Sequence, residues 1–218
     1  MNQQHPHHQE YEEITPKKRN PFYGVLALFT AVALFLLSLQ GYFYLMHPEP
    51  VNIPKLSEVQ EFLPSNLDNP FTSHRADDLE IVMEESSDTI KQVANYIAAN
   101  SCKKADRVCQ SKALFYFVRD NIQYVPDEKF HDQLENPITV LKTGGADCED
   151  MAVLLLALEK SIGNSVQLVY VPSHAFAQIS IPKYKSEKWL NLEATCDTCQ
   201  FNELPDSSAL ARKTYYQL

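Results

Sequence analysis

Cys148, His174 and Glu193 are a thiol, an imidazole and a carboxylate in the second half of the chain. Brought together, such groups activate a nucleophile: a thiolate, a base, and a third group that orients the base. The cysteine carries the strongest local signal. It follows Thr143-Gly144-Gly145-Ala146-Asp147, continues into Glu149-Asp150, and opens the apolar run Met151 to Leu158. The chain has only 5 glycines, and two of them stand just ahead of this cysteine. That placement points to a tight turn or a close backbone approach. A cysteine in the first turn of a helix lies among N–H groups that have no intrahelical partner and carry partial positive charge. Those surroundings favour the thiolate, which is the nucleophilic form. Taken singly, each residue has an ordinary structural explanation: a packed thiol, a surface imidazole, a solvent-facing carboxylate. Their convergence is what argues for chemistry.

The elements between them predict that convergence. A helix is expected from Cys148 to about Ile162, apolar on nearly every side as a central buried helix is. Gly163-Asn164 ends it. Three strands follow, at about Gln167 to Val171, His174 to Ile181, and Lys188 to Ala194. The helix spans about 22 Å at roughly 1.5 Å per residue. The stretch from Ser165 to Val171 covers about 23 Å at roughly 3.3 Å per residue. A strand packed back along the helix therefore returns the chain to the level of Cys148, and Pro172-Ser173 turns it so that His174 begins the next strand there. That strand alternates, with Ala175, Ala177, Ile179 and Ile181 on one face, as a half-buried strand does. After a reversal near Lys183-Tyr184, Leu190, Leu192 and Ala194 supply the matching face. Glu193 and His174 then share the more polar face as near cross-strand neighbours.

Gly144-Gly145-Ala146-Asp147-Cys148-Glu149-Asp150, the strand opening at His174, and Trp189-Leu190-Asn191-Leu192-Glu193-Ala194-Thr195 together resemble the transglutaminase-like superfamily. That superfamily includes transglutaminases, peptide:N-glycanases and many microbial proteins similar to cysteine proteases. The resemblance covers roughly residues 91 to 201. It implies an α+β, papain-like core with a central helix opened by the nucleophile and packed on an antiparallel sheet. It implies Cys148 as nucleophile, His174 as general base and acid, and Glu193 in the acidic third position, where Asp is usual and Glu is one methylene longer. The Cys148 backbone N–H is expected among the oxyanion donors.

The other four cysteines are Cys102, Cys109, Cys196 and Cys199. Outside a membrane the default is pairing. The simplest pairing is Cys102–Cys109 with Cys196–Cys199, one of three connectivities that four cysteines allow. Zinc is the sharper alternative, because Cys-x-x-Cys is a ligand pair. All four thiolates could hold one ion, or Cys196 and Cys199 could join Cys148 and His174. If the four pair instead, Cys148 is the free thiol.

The first half of the chain organises the rest. Residues 1–20 are polar, include His5, His7 and His8, and read as a cytoplasmic disordered tail. Metal binding by such a tract is the less expected alternative. Lys17-Lys18-Arg19 precede residues 21–46, which hold no charged residue and have aromatics at both ends. That length exceeds the roughly 20 residues that cross a bilayer core. Charge asymmetry predicts a single-pass, uncleaved signal-anchor in the cell membrane with a cytoplasmic N-terminus and the remainder outside. Residues 47–78 carry five prolines and read as a stalk with at most one short helix near Leu56 to Phe62. Residues 79–218 form the extracytoplasmic domain. Its first helix is expected from Asp88 as cap to about Asn100, and its second from about Ala105 to Gln123, followed by a charged loop at 126–136 and a short helix from Pro137 to Lys142.

A formal net charge of −9 argues against nucleic acid as a partner. The expected reaction is acyl transfer on a protein or peptide substrate, with no cofactor and no metal, and hydrolysis is preferred. Transamidation uses the same residues, and a scaffold domain that lost the chemistry is the rival from another class.

Overall fold

The computed structural model describes residues 21–46, 49–65, 78–84, 87–126, 134–181 and 189–218. The chain divides into two compact units, at 46/47. The first contains one helix, α1 (Pro21–Met46). Its proline occupies the first helical position, where the missing N–H would have had no partner. At 26 residues it is about 39 Å long. Phe22–Tyr42 is long and apolar enough to cross a membrane, which suits either an anchor or a signal sequence. The tail expected over 1–20 lies outside the described residues.

The second unit mixes helices and sheet, as expected. Its helices are α2 (Leu56–Gln60), α3 (Leu79–Glu84), α4 (Ser87–Ser101), α5 (Arg107–Asn121), α6 (Pro137–Thr143), α7 (Cys148–Ser161) and α8 (Asp206–Ala209). Strands β1 (Gln123–Tyr124) and β2 (Gly145–Ala146) form a small parallel pair. Strands β3 (Ser165–Val171), β4 (His174–Ser180), β5 (Leu190–Leu192) and β6 (Thr214–Gln217) form an antiparallel sheet in the order β5-β4-β3-β6.

α7 is the centre of the core. Every residue from Met151 to Leu158 is buried. A helix apolar all round must be covered all round. α4, α5 and α6 cover it on the helical side, and β3 and β4 on the other. α4 turns Ile90, Val93, Ala94 and Ile97 toward it at helical spacing, all of them buried. Ser87 begins that helix, so Asp88 lies in its first turn rather than at the cap. α5 is capped by Asp106, whose carboxylate accepts from the Cys109 N–H at 2.8 Å. Cys102 and Cys109 form a disulfide across that cap, and Cys196 and Cys199 form the second. Both are the expected pairs. With its sulfurs joined, neither couple offers thiolates to a metal.

Two expectations are corrected by packing. β4 is not half-buried. Ala175, Ala177 and Ile179 face the main core, but Phe176 on the opposite face is also buried, with Val169 and Val171 of β3 and against Leu204 and Ala211. The C-terminal stretch lies over that face, and β6 extends the sheet beyond β3. Gln178 is buried there too, within a chain of amides from Gln167 to Gln178 (2.5 Å) to Asn191 (2.7 Å).

The second correction concerns the stalk read over 47–78. Residues 49–65 pack on the domain. Val59 of α2 is fully buried in the main core. The Gln60 amide donates to the Leu141 and Lys142 carbonyls at 3.0 and 3.1 Å, and Leu56 N–H donates to Asn121 Oδ1 at 2.9 Å. Prolines do end regular structure in this stretch, but buried Val59, the partly buried Ile53, Leu56 and Leu63 packed against the same core, and a few polar anchors suffice to seat it. The rest of the stalk over 66–77, most of the charged loop (127–133) and the reversal near Lys183-Tyr184 (182–188) lie outside the described residues.

Candidate active site

The turn ahead of Cys148 is built from both sides. α6 ends at Gly144, which adopts the left-handed conformation (φ 73°) and returns its N–H to the Val140 carbonyl at 2.9 Å. Such a helix end favours glycine because a Cβ is strained there. Residues leaving α5 then run beside the turn. Gln123 N–H donates to the Gly144 carbonyl and Val125 N–H to the Ala146 carbonyl, each at 2.8 Å. Asp147 caps α7, accepting from the Asp150 N–H at 3.0 Å. Asp150 in turn accepts from the Glu135 N–H at 2.7 Å. Cys148 is therefore the first residue of a capped and braced helix. It is half-buried and is the one free cysteine among the described residues.

β3 leads the chain back as its length predicts. Val171 pairs with His174 across the two-residue turn Pro172-Ser173, in which Ser173 takes a positive φ of 61°. His174 Nε2 hydrogen bonds to Glu193, and the Cys148 thiol is close enough to act on the ring. Its Nε2 is 2.6 Å from Glu193 Oε2. Glu193 is buried, with 1% of its side chain exposed against 23% for His174. The neighbouring Cys148 thiol first and the Glu193 carboxylate second push the imidazole up to about 10, against the opposing effect of burial. The sequence-derived trio is thus assembled in one place. An imidazole held protonated between a thiol and a buried carboxylate can stabilise a thiolate, and it can deliver a proton to a leaving group.

Two further residues reach this site without having been singled out from the sequence. Tyr124, half-exposed on β1, lies opposite Ala146 in the β1–β2 pair. Its phenol is raised first by burial and then by the negative charges of Cys148 and Asp147 nearby. Thr195 gives two hydrogen bonds to Glu193 Oε1, from Oγ1 at 2.6 Å and from N–H at 3.2 Å. The signal for Thr195 was its place two residues beyond Glu193. Two-residue strands have no periodicity, so Tyr124 had no comparable signal.

Residues 90–194 match the family model described as the transglutaminase-like superfamily. No curated protein matches the chain. Among solved structures, a candidate protease from Parabacteroides distasonis is 15% identical, with a TM-score of 0.44 over 60% of this chain and 30% of that one. A candidate cysteine protease from Cytophaga hutchinsonii is 14% identical, with a TM-score of 0.42 over 66% of this chain and 54% of that one. Legionella pneumophila LapG is 14% identical, with a TM-score of 0.38 over 69% and 78%. The chain thus spans less than two thirds of the first two of these proteins.

Proposed function

We propose, from the match of residues 90–194 to the transglutaminase-like superfamily, that the chain is a thiol-dependent acyl-transfer enzyme that hydrolyses amide bonds in a protein or peptide. The observation that carries this reading is His174, whose Nε2 lies 2.6 Å from buried Glu193 Oε2 and whose ring neighbours the Cys148 thiol at the start of α7. The Cys148 thiolate attacks the amide carbonyl carbon and forms a C–S bond. The Cys148 backbone N–H, in the first turn of α7, is the donor expected to meet the developing oxyanion. His174 gives its proton to the departing amine as the C–N bond breaks, leaving a thioester. Water then attacks that carbonyl, His174 takes the water's proton, and the C–S bond breaks to release the acid and restore the thiolate. Glu193 holds the ring and balances its charge throughout. α1 anchors the enzyme in a membrane, with the domain on the oxidising outer side. The two disulfides support that placement.

Iodoacetamide labelling of the full chain at mildly acidic pH, followed by peptide mass spectrometry, tests the central pair. Fast modification confined to Cys148, and lost in His174→Ala, is expected. Slow labelling that ignores His174→Ala overturns the reading. Where hydrolysis of a peptide pool is detected, an added primary amine that diverts product into amide would reassign the acceptor from water to amine.

A further inference from the structure

We infer that Thr195 is a positioning residue for the Cys148–His174–Glu193 site, acting through the far oxygen of the Glu193 carboxylate. The inference rests on the catalytic reading of that site and adds a residue to it. Glu193 has two oxygens with separate tasks. Oε2 meets His174 Nε2 at 2.6 Å, and Oε1 receives both the hydroxyl (2.6 Å) and the backbone N–H (3.2 Å) of Thr195. With 1% of the side chain exposed, solvent does not hold Oε1 in their place.

The need for such an anchor comes from the length of the side chain. Glu has one more torsion than Asp, and its last torsion is soft and broad. One hydrogen bond at Oε2 leaves the carboxylate free to rotate about that last bond. Donors at both oxygens fix its plane, and with it the direction offered to His174. A charged acceptor in a buried place also leaves a large desolvation cost unmet unless its lone pairs are used. Thr195 answers both demands.

Thr195 is itself held by its C-terminal neighbours. The chain enters the Cys196–Cys199 disulfide directly after it. Cys199 N–H returns to the Cys196 carbonyl at 3.0 Å, and Arg119 Nη1 donates to the Cys199 carbonyl at 2.7 Å. Residue 195 thus leads into a small covalent ring tied to α5, a firm base from which to aim two donors. The plain alternative is a threonine that closes its own turn and has no effect on the imidazole.

The test is the titration of His174, followed by NMR of ring-labelled histidine in the full chain in detergent and assigned by difference from His174→Ala. Thr195→Val keeps the shape and the N–H but removes the hydroxyl. It is expected to lower the His174 titration by about one pH unit and slow Cys148 alkylation at mildly acidic pH about tenfold. Thr195→Ser restores both to within about twofold of the wild type. Glu193→Gln serves as the control for the reading underneath. If Glu193→Gln shifts the titration and Thr195→Val does not, the inference alone falls. It falls equally if Ser fails to restore what Val removes. If Glu193→Gln leaves the titration unmoved, the inference and the catalytic reading fall together.

Discussion

Glu193 Oε2 stands 2.6 Å from His174 Nε2, and the carboxylate is almost wholly buried while the ring is partly open. The imidazole can therefore meet a substrate while its counter-charge stays out of water. A carboxylate so placed attracts the proton on His174 more strongly than an exposed one could.

That relationship sets a pH dependence. The His174 value, about 10, lies above its ordinary 6.5, and the neighbouring Cys148 thiol contributes most. A proton held more tightly in the fold stabilises the fold. Its full contribution is present below about 6.5 and is lost as the pH rises through about 10. Cys148→Ala removes the first cause of the shift. NMR of the ring should then show His174 titrating well below the wild-type value, and the stability of this variant should depend less on pH between those limits. The titration belongs to the thiol, imidazole and carboxylate jointly, so both variants of the pair should be followed. An unchanged titration in Cys148→Ala would remove the thiol from the pair.

A second titrating group lies at the far end of α7. Glu159 is fully buried, and burial raises its carboxyl to about 7 despite the hydrogen bonds from Asn164 and Ser111 and the nearby Arg107. Its Oε1 and Asn164 Oδ1 have no partner among the described residues. A proton on Oε1 gives one of these acceptors a donor to meet. The fold favours the protonated form here. That stabilisation is present below the ordinary value of 4.5 and lost as the pH rises through about 7. Glu159→Gln should flatten that decline and leave the variant the more stable above neutrality, by up to about 3 kcal/mol. Thermal midpoints at pH 5 and pH 8.5 decide the matter. A variant whose midpoint falls in parallel with the wild type would show that the carboxyl stays ionised.

Gly144 is constrained twice. Its φ is 73°, and a Cβ there would come within 2.9 Å of Leu56 Cδ2. Gly144→Ala should cost about 1–2 kcal/mol through conformational strain and contact together. Adding Leu56→Ala separates them, since it relieves the contact and leaves the strain. A denaturant double-mutant cycle should give a coupling of at least about 0.5 kcal/mol. Additive costs would mean that the side chain of Leu56 gives way freely.

The packing of residues 49–65 predicts where the chain tolerates shortening. A soluble form beginning at 49 should fold with the stability of the full domain. One beginning at 79 loses buried Val59 and the Gln60 amide bonds. It should melt lower by several degrees, as expected for a loss of about 2 kcal/mol or more. Equal melting would mean that the segment adheres without adding stability.

The sequence carried the site further than it carried its surroundings, for physical reasons. His174 could be located because the helix from Cys148 and the strand after it have lengths that cancel. Glu193 followed because alternation fixes which residues share a face. The buried Phe176 face was not visible, because alternation records only that two faces differ, and the cover comes from residues 204–211 far along the chain. β1 and β2 were missed because two residues cannot show a period. The burial of Val59 was not legible because a five-residue helix is too short to show which of Leu56, Val59, Phe62 and Leu63 faces a core. Thr195 stood inside a motif already noticed, yet its task depends on the Glu193 rotamer, which only coordinates reveal.

The two disulfides join cysteines separated by seven and three residues. Short loops close quickly and at small entropic cost. During oxidation in a growing chain, each of these thiols meets its own partner far more often than it meets Cys148. Both pairs can therefore be sealed locally, before the core assembles around α7. The arrangement protects Cys148 kinetically, since the oxidant that closes the other four cysteines finds each already beside its mate and leaves the fifth reduced.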